Sequence, residues 1–300
     1  MVDLSQPFTS RMVCDVLAWS TVRGPRFRRL LPGVYVASDV AVTPELMARA
    51  ALLAVPATAW LSHTTSASLQ GIPVPTDPRL HVSVPTAGDR RLKGTLKLHV
   101  RPTPLTTTAR GLRVSAGADL FLELAEVLGL VDLVVAGDAM VRARMVRPEQ
   151  LLRAAAAVRG EVGSHVRRAA SLVRARVDSP METRLRLLIV LAGLPEPEVN
   201  PVVGDGRFTT RLDLAYPGLR LVIEYDGQQH RADDLNQWDR DNERLAWFAD
   251  HDWELLPVVA RGIYRRPGET LTRVCDAIRR RGGVVPALNP GWQLYFPGTG

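Results

Sequence analysis

Lysine is nearly absent from this chain of 300 residues: only Lys93 and Lys97 occur, and the other 36 of its 38 basic residues are arginine. From residue 178 onward there is no lysine at all. Cysteine is as scarce. Cys14 and Cys275 stand alone at opposite ends, with no second cysteine or nearby histidine at ligand spacing, so neither a disulfide framework nor a structural zinc site is expected. No apolar run approaches the roughly 18 residues that a membrane span needs. The start, MVDLSQPFTSRM, lacks the basic region, apolar core and small-residue cleavage site of a signal peptide, which makes the cytoplasm the expected compartment.

What is present is enough apolar residue, 46%, to bury a substantial core, and a length that suggests two domains. The net charge of +7 is unevenly spread. Arginine plus lysine against aspartate plus glutamate is 23 to 13 over residues 1–177, 10 to 16 over 178–265 and 5 to 2 over 266–300. A basic front followed by an acidic module fits a protein whose front meets a polyanion and whose back holds something cationic. An arginine skew from coding bias fits the front equally well.

Patterning gives four segments and a mixed α/β (α+β) class. Residues 1–40 hold a helical pattern around Met12 to Trp19, then GPRFRRLLPGVYVAS, a basic run leading through a Pro32-Gly33 turn into a β-rich stretch. Residues 41–177 form a mixed α/β body. Thr43 caps a helix that begins at Pro44, a short helix is closed by Gly71, RLHVSV and TLKLHV alternate as strands, and a helical Arg-rich connector runs to Asp178. Residues 178–281 form the acidic module. Residues 282–300 are too rich in Gly and Pro for a regular element and read as a loosely attached tail.

The acidic module opens with SPMETRLRLLIVLAGL, in which Ser179, Pro180 and Glu182 form a capping box and Gly193 is the stop. Glu182 therefore has a structural role open to it beside a catalytic one. In FTTRLDLAYPGLRLVIEYDG two β-rich segments flank Pro217-Gly218 as a hairpin. Alternation puts Leu221, Ile223 and Tyr225 on one face and Val222, Glu224 and Asp226 on the other. A turn centred on Pro217-Gly218 sets Asp213 across from Val222, hence diagonal to Glu224 on one face, about 7–8 Å apart at the backbone. Two carboxylates so placed can converge on one cation, and oxygen-only ligands favour magnesium or manganese over zinc. The plain alternative is a salt-bridged sheet, with Arg211 and Arg220 as compensators. Asp226-Gly227 is either a turn or the start of a loop into a helix, whose buried side would be marked by Trp238, Leu245 and Phe248. His230, just past the strand, is placed to ligate a metal, shuttle a proton or sit in solvent.

Glu182 in a leading helix, Asp213 in RLDLAYP, the string VIEYDGQQH, the pair Asp241 and Arg244, and HDWELLPVV as a following strand resemble the domain of unknown function grouped with very-short-patch-repair (Vsr-like) endonucleases, in the restriction-endonuclease-like superfamily. The similarity covers about residues 178–280. It implies a mixed sheet flanked by helices and a Mg2+-dependent (or Mn2+-dependent) nuclease site. Carried over by position, Asp213 would be the central metal ligand, with Glu224 and Asp226 at the second motif as further metal ligands. His230 would be the imidazole near the attacking water, Glu182 the helix carboxylate, and Gln228 a contact to water or phosphate. One departure is clear. Restriction-type enzymes usually carry a lysine two positions after the second acid, where this chain has Asp226; the very-short-patch-repair branch is also lysine-free and relies on an imidazole, a part open to His230.

The front resembles, more weakly, the wing of the winged-helix domain of AbiEi-type antitoxins, which implies phosphate contacts by Arg23, Arg26, Arg28 and Arg29 without sequence reading. Before Gly24 there is little room for the usual helices of that domain. Three function classes follow: a DNA endonuclease or nickase, an antitoxin-like DNA-binding regulator with a silent nuclease fold, and a protein-interaction module with an unknown protein partner. DNA is the expected partner of the first two.

Overall fold

The computed structural model describes residues 2–86, 96–102, 105–206, 208–227 and 235–298, with side chains over 235–250 taken from Asn242 onward. The chain is mixed α/β overall, as the alternating patterns predict. It divides into two compact units, one of residues 1–136 and 145–167, the other of 137–144 and 168–300. The second unit thus begins ahead of the boundary expected near 177 and recruits a piece of an earlier helix.

In the first unit, β1 (Phe8–Thr9), α1 (Ser10–Val13), α2 (Trp19–Val22), β2 (Phe27–Leu31) and β3 (Val34–Ala37) form the leading element. The helical pattern around Met12 to Trp19 is realised as two single-turn helices, not one. The strands make an antiparallel sheet in the order β1-β3-β2, and Gly33, at φ +79°, turns β2 into β3. Phe8, Val13, Val22, Phe27 and Tyr35 close its small core.

The body follows with α3 (Pro44–Leu53), β4 (Trp60–Leu61), α4 (His63–Leu69), β5 (Leu80–Val84), β6 (Leu96–Val100), β7 (Thr106–Ala109), β8 (Leu112–Ser115), α5 (Gly117–Leu124), α6 (Leu130–Arg142), α7 (Pro148–Ala157) and α8 (Gly160–Leu172). Thr43 caps α3 as expected, its Oγ1 accepting from the Leu46 N–H at 3.1 Å. The five-stranded sheet runs β6-β5-β4-β8-β7, with β5 parallel to β6 and β4 parallel to β8. Its β4 to β8 strands and α3 bury Ala50, Leu61, Val82, Leu98 and Val114. Helices α6 and α8 each pass from one unit into the other.

The second unit contains α9 (Pro180–Leu191), β9 (Glu198–Val199), β10 (Val202–Gly204), β11 (Thr209–Arg211), β12 (Leu214–Tyr216), β13 (Leu221–Tyr225), α10 (Leu235–Asp250), β14 (Glu254–Val258), α11 (Ala260–Tyr264) and α12 (Pro267–Arg280). The main sheet has the order β14-β13-β12-β9, with β13 parallel to β14 and the other pairs antiparallel, while β10 and β11 form a separate ribbon. Both faces of β13 are covered, because Leu221, Val222 and Ile223 are all buried. Ala215, Val222 and Leu255 pack with Trp247 and Phe248 of α10. The buried side of α10 is only partly the one expected: Phe248 is buried, but Leu245 is 51% exposed and Trp247 is buried instead, while the Trp238 side chain lies outside the described set.

The hairpin register also differs from the expected one. Pro217–Leu219 form a 3-10 turn closed by Arg220 at φ +48°, in place of a two-residue Pro-Gly turn. Pairing consequently runs Leu214 to Ile223, Ala215 to Val222 and Tyr216 to Leu221, two residues away from the expected register. Side chains alternate with a period of two, so an even shift leaves every residue on its face. Asp213 itself lies in a bend ahead of β12, and its Oδ2 reaches the Tyr225 N–H of β13.

The final segment is not a loose tail. The Asn289 N–H donates to Ala192 O at 2.9 Å, Arg168 Nη1 donates to the Tyr295 hydroxyl at 2.6 Å, and Phe296 is 5% exposed. Aromatic anchors outweigh the many glycines and prolines here.

Candidate functional site

Three elements of the second unit meet at the end of its main sheet: the N-terminus of α9, the residue entering β12 and the end of β13. Ser179 caps α9, its Oγ accepting from the Glu182 N–H at 3.1 Å. The other half of the expected capping box is absent, because the Glu182 carboxylate does not return to Ser179. Its Oε2 accepts from the Asp178 N–H at 3.0 Å and from Asn200 Nδ2 at 2.9 Å. Asn200, at φ +48°, also donates its backbone N–H to Asp213 O at 2.9 Å, which ties the helix carboxylate to the strand that carries Asp213.

Asp213 is half-buried, and its Oδ2 accepts from the Tyr225 N–H at 2.9 Å. Burial, and then the negative charge of Glu182, push its carboxyl up to about 6, against the pull of the Tyr225 N–H and the Arg244 guanidinium. Glu224 forms an ion pair with Arg244 of α10, whose guanidinium also lies 5.2 Å from the Phe248 ring centre. Burial holds the Arg244 pKa below its usual value. Asp226 follows the strand, half-buried, with its N–H donating to Val258 O at 2.8 Å.

The expected compensators are reassigned. Arg211 pairs with Asp178 instead of Asp213, and Arg220, turned away by its left-handed backbone, donates to His251 O at 3.2 Å. Arg244, distant in sequence and brought in by helix packing, supplies the cation. Of the expected residues, Glu182 stands near Asp213, and Arg244 lies near both Asp213 and Glu224, but among the described residues these carboxylates do not bring three ligand oxygens close enough to share one ion as they stand. His230 and Gln228 fall outside the described residues, as does the Asp241 side chain. Arg23, Arg26, Arg28 and Arg29 are all exposed on the leading element of the first unit, where Arg28 Nη2 donates to Ser38 O at 3.2 Å.

A second cluster, not singled out from the sequence, lies in the first unit. His63, His81 and His99 each offer a ring nitrogen within 4.8 Å of the others. His81 on β5 and His99 on β6 share a face, since Leu80 pairs with Leu96 and Ser83 with His99. The Ser62 N–H donates to His81 O at 3.0 Å and brings in His63, which sits in the left-handed region at φ +49°. His63 and His99 stack with ring centres 3.6 Å apart, and His99 Nε2 lies 3.2 Å from His81 Nδ1. Carboxylates ring the group: Asp77 Oδ2 is 3.0 Å from His81 Nε2, Glu126 Oε2 is 3.4 Å from His63 Nε2, and Glu123 Oε2 accepts from the His63 N–H at 3.1 Å. Burial pushes all three imidazoles down, His99 to about 3, and pushes the Glu123 carboxyl up to about 7. The available signal was the tripeptide LHV, which occurs at 80–82 and again at 98–100 and places an imidazole at the non-apolar position of two strands.

No family profile matches the chain. Two relatives of Mycobacterium tuberculosis, "Uncharacterized protein MT2308" of strain CDC 1551 / Oshkosh and "Uncharacterized protein Rv2248" of strain ATCC 25618 / H37Rv, are each 29% identical over 258 residues, covering 84% of this chain and 92% of the relative. Among the described residues no helix is long and apolar enough to cross a membrane.

Proposed function

We propose that the chain is a metal-dependent DNA endonuclease or nickase, with its nuclease site at the sheet end of the second unit. The observation that carries this reading is Asp213, driven up to about 6 by burial and by the nearby Glu182, with Arg244 lying near it and pairing with Glu224. Such a carboxylate is short of positive charge, and a hard divalent cation relieves that shortage. Asp213, Glu224 and Asp226 would hold Mg2+ or Mn2+, with Glu182 behind Asp213. When bound, the ion supplies polarisation of a phosphate and a lowered pKa for a water. The Tyr225 N–H orients Asp213, Arg244 holds Glu224 until a stronger cation competes for it, and His230 is the imidazole assigned to the attacking water. DNA is the partner, met by the exposed Arg23, Arg26, Arg28 and Arg29 of a winged-helix-like leading element and by Gln228. A cytoplasmic place goes with this reading.

The test is incubation of the purified protein with supercoiled plasmid and Mg2+ or Mn2+. Nicking or cutting that disappears in Asp213→Ala is the expected result; no cutting by the parent, or equal cutting by the variant, removes the reading.

A second reading is favoured by the Arg244–Glu224 ion pair, which already occupies a ligand, together with the lack of lysine in the module. On it the chain is an antitoxin-like DNA-binding regulator with a silent nuclease fold. DNA binding without turnover, whose salt dependence collapses when Arg26, Arg28 and Arg29 are neutralised, would select it.

A further inference from the structure

The histidine cluster of the first unit stands apart from the carboxylates of the second and is independent of the nuclease reading. We propose that His63, His81 and His99 form a binding site for one zinc-class divalent transition-metal ion.

One edge of a tetrahedral site is in place. Two nitrogens bound at about 2.0–2.1 Å in a tetrahedron stand about 3.3–3.4 Å apart. His81 Nδ1 and His99 Nε2 are 3.2 Å apart, so one edge of that tetrahedron is preformed. The third imidazole offers its nitrogen within 4.8 Å of both, a gap that a ring rotation closes. Asp77 accepts from His81 Nε2–H at 3.0 Å, which leaves His81 Nδ1 as the nitrogen with a free lone pair and aims it at the centre. Glu126, anchored by Arg101, stands 3.4 Å from His63 Nε2, near enough to orient that ring or to supply a fourth, oxygen ligand.

The backbone and the burial point the same way. His63 and His81 are 0% exposed, and His63 is held at φ +49°, a strained conformation that concentrates at functional positions. Imidazole donors select zinc and its neighbours over magnesium, which prefers oxygen. Asp77, the carboxylate that holds His81, also lines a cavity of about 300 Å³ with Thr64, Thr65 and Leu80, although no histidine of the cluster lines it.

The competing explanation is a metal-free hydrogen-bonded chain Asp77–His81–His99 with His63 stacked on it. The two states differ in one respect. Stacked rings 22° from parallel cannot both aim an in-plane lone pair at one ion, so loading turns the His63 ring out of its stack on His99 and leaves the His81–His99 edge in place. On loading, the Nε2 proton of His99 moves to Nδ1 and the ring stays neutral. Cysteine spacing carries no signal for this set, whose ligands come from three separate elements.

The experiment titrates Co2+ into the metal-stripped, untagged full chain and reads the visible d–d absorption of tetrahedral cobalt. One equivalent bound, displaced by Zn2+ and untouched by Mg2+, is expected. His99→Gln at its half-buried site should abolish the signal with the far-UV CD of the parent retained, and His165→Gln, an imidazole outside the cluster, should leave it unchanged. Absence of a stoichiometric signal in the parent, or equal binding by His99→Gln, overturns the site. If His99→Gln fails to fold, the parent decides: an upward shift of its melting temperature with one equivalent of Zn2+, accompanied by a change in the His99 ring NMR signals, supports the site, and no change in either refutes it. Plasmid nicking does not depend on His99, so the two readings fail separately.

Discussion

In the second unit Glu182, Asp213 and Glu224 share one sheet end with the guanidinium of Arg244. In the first, His63, His81 and His99 are packed ring against ring, with Asp77, Glu123 and Glu126 around them. Both units therefore bury titratable groups, and they neutralise them differently. An imidazole leaves its charge behind when burial lowers its pKa past neutrality, whereas a carboxylate keeps its charge at pH 7 unless its pKa is raised by several units. The second unit accordingly draws arginines from helix and strand to its acids, yet burial still raises Asp138 beside Arg186 and lifts the carboxyl of Asp213 to about 6. The first unit has the matching case in Glu123, raised to about 7.

The largest test of this contrast falls on the fully buried ion pair of the second unit. Arg186, 0% exposed, donates Nη2 to Asp138 Oδ2 at 3.1 Å and to Leu172 O at 2.8 Å. Arg186→Met leaves Asp138 with its Thr183 hydroxyl and Arg174 N–H contacts but no cation, and a loss of about 3–5 kcal/mol is expected in denaturant unfolding. A loss under 1 kcal/mol would show that the unit does not depend on paired charge.

Next in size are two of the raised carboxyls, Glu123 and Asp213; that of Asp138 is also pushed up by its burial. Each has a folded pKa above its unfolded value of about 4, so the folded state binds more protons and stability falls as pH rises between the two values. Glu123→Gln removes that loss and keeps an acceptor for the His63 N–H. A gain of about 1–3 kcal/mol at pH 8, vanishing by about pH 4, is expected in thermal melts. Asp213→Asn has the same sign over a narrower window, up to about pH 6, and a smaller gain of about 1–2 kcal/mol, because the Tyr225 N–H and Arg244 already offset part of its burial. Equal gains at pH 4 and pH 8 would mean that titration is not the cause.

The smallest effect on stability is at the exposed hairpin. Arg28→Ala should change folding by less than about 0.5 kcal/mol while lowering the slope of log K against log salt for DNA by about 1. An unchanged slope would take Arg28 out of the phosphate-binding set.

Much of the second unit was legible. The Ser179 cap and the alternation of β13 are short-range effects, and a register shift of two leaves the paired residues of β12 and β13 on their expected faces because the side-chain period is two. The partner of Glu224 was not legible: Arg244 reaches it only through the rotation of α10, which is set by Trp247 and Phe248 burying against Ala215 and Val222. Leu245, equally apolar in sequence, stays outside. The destination of the Glu182 carboxylate was equally hidden, because Asn200 arrives from a separate strand end with a left-handed backbone.

The sequence by itself determined the mixed α/β class, the basic front and acidic back, and the identity of the carboxylates on the inner hairpin, since composition, capping and strand alternation act over a few residues. Tertiary structure alone decided which arginine answers which acid, that the final segment docks, and that His63, His81 and His99 meet. Those outcomes depend on how whole elements pack and pair, and no local period encodes the distance between side chains that the chain separates by 18 residues or more.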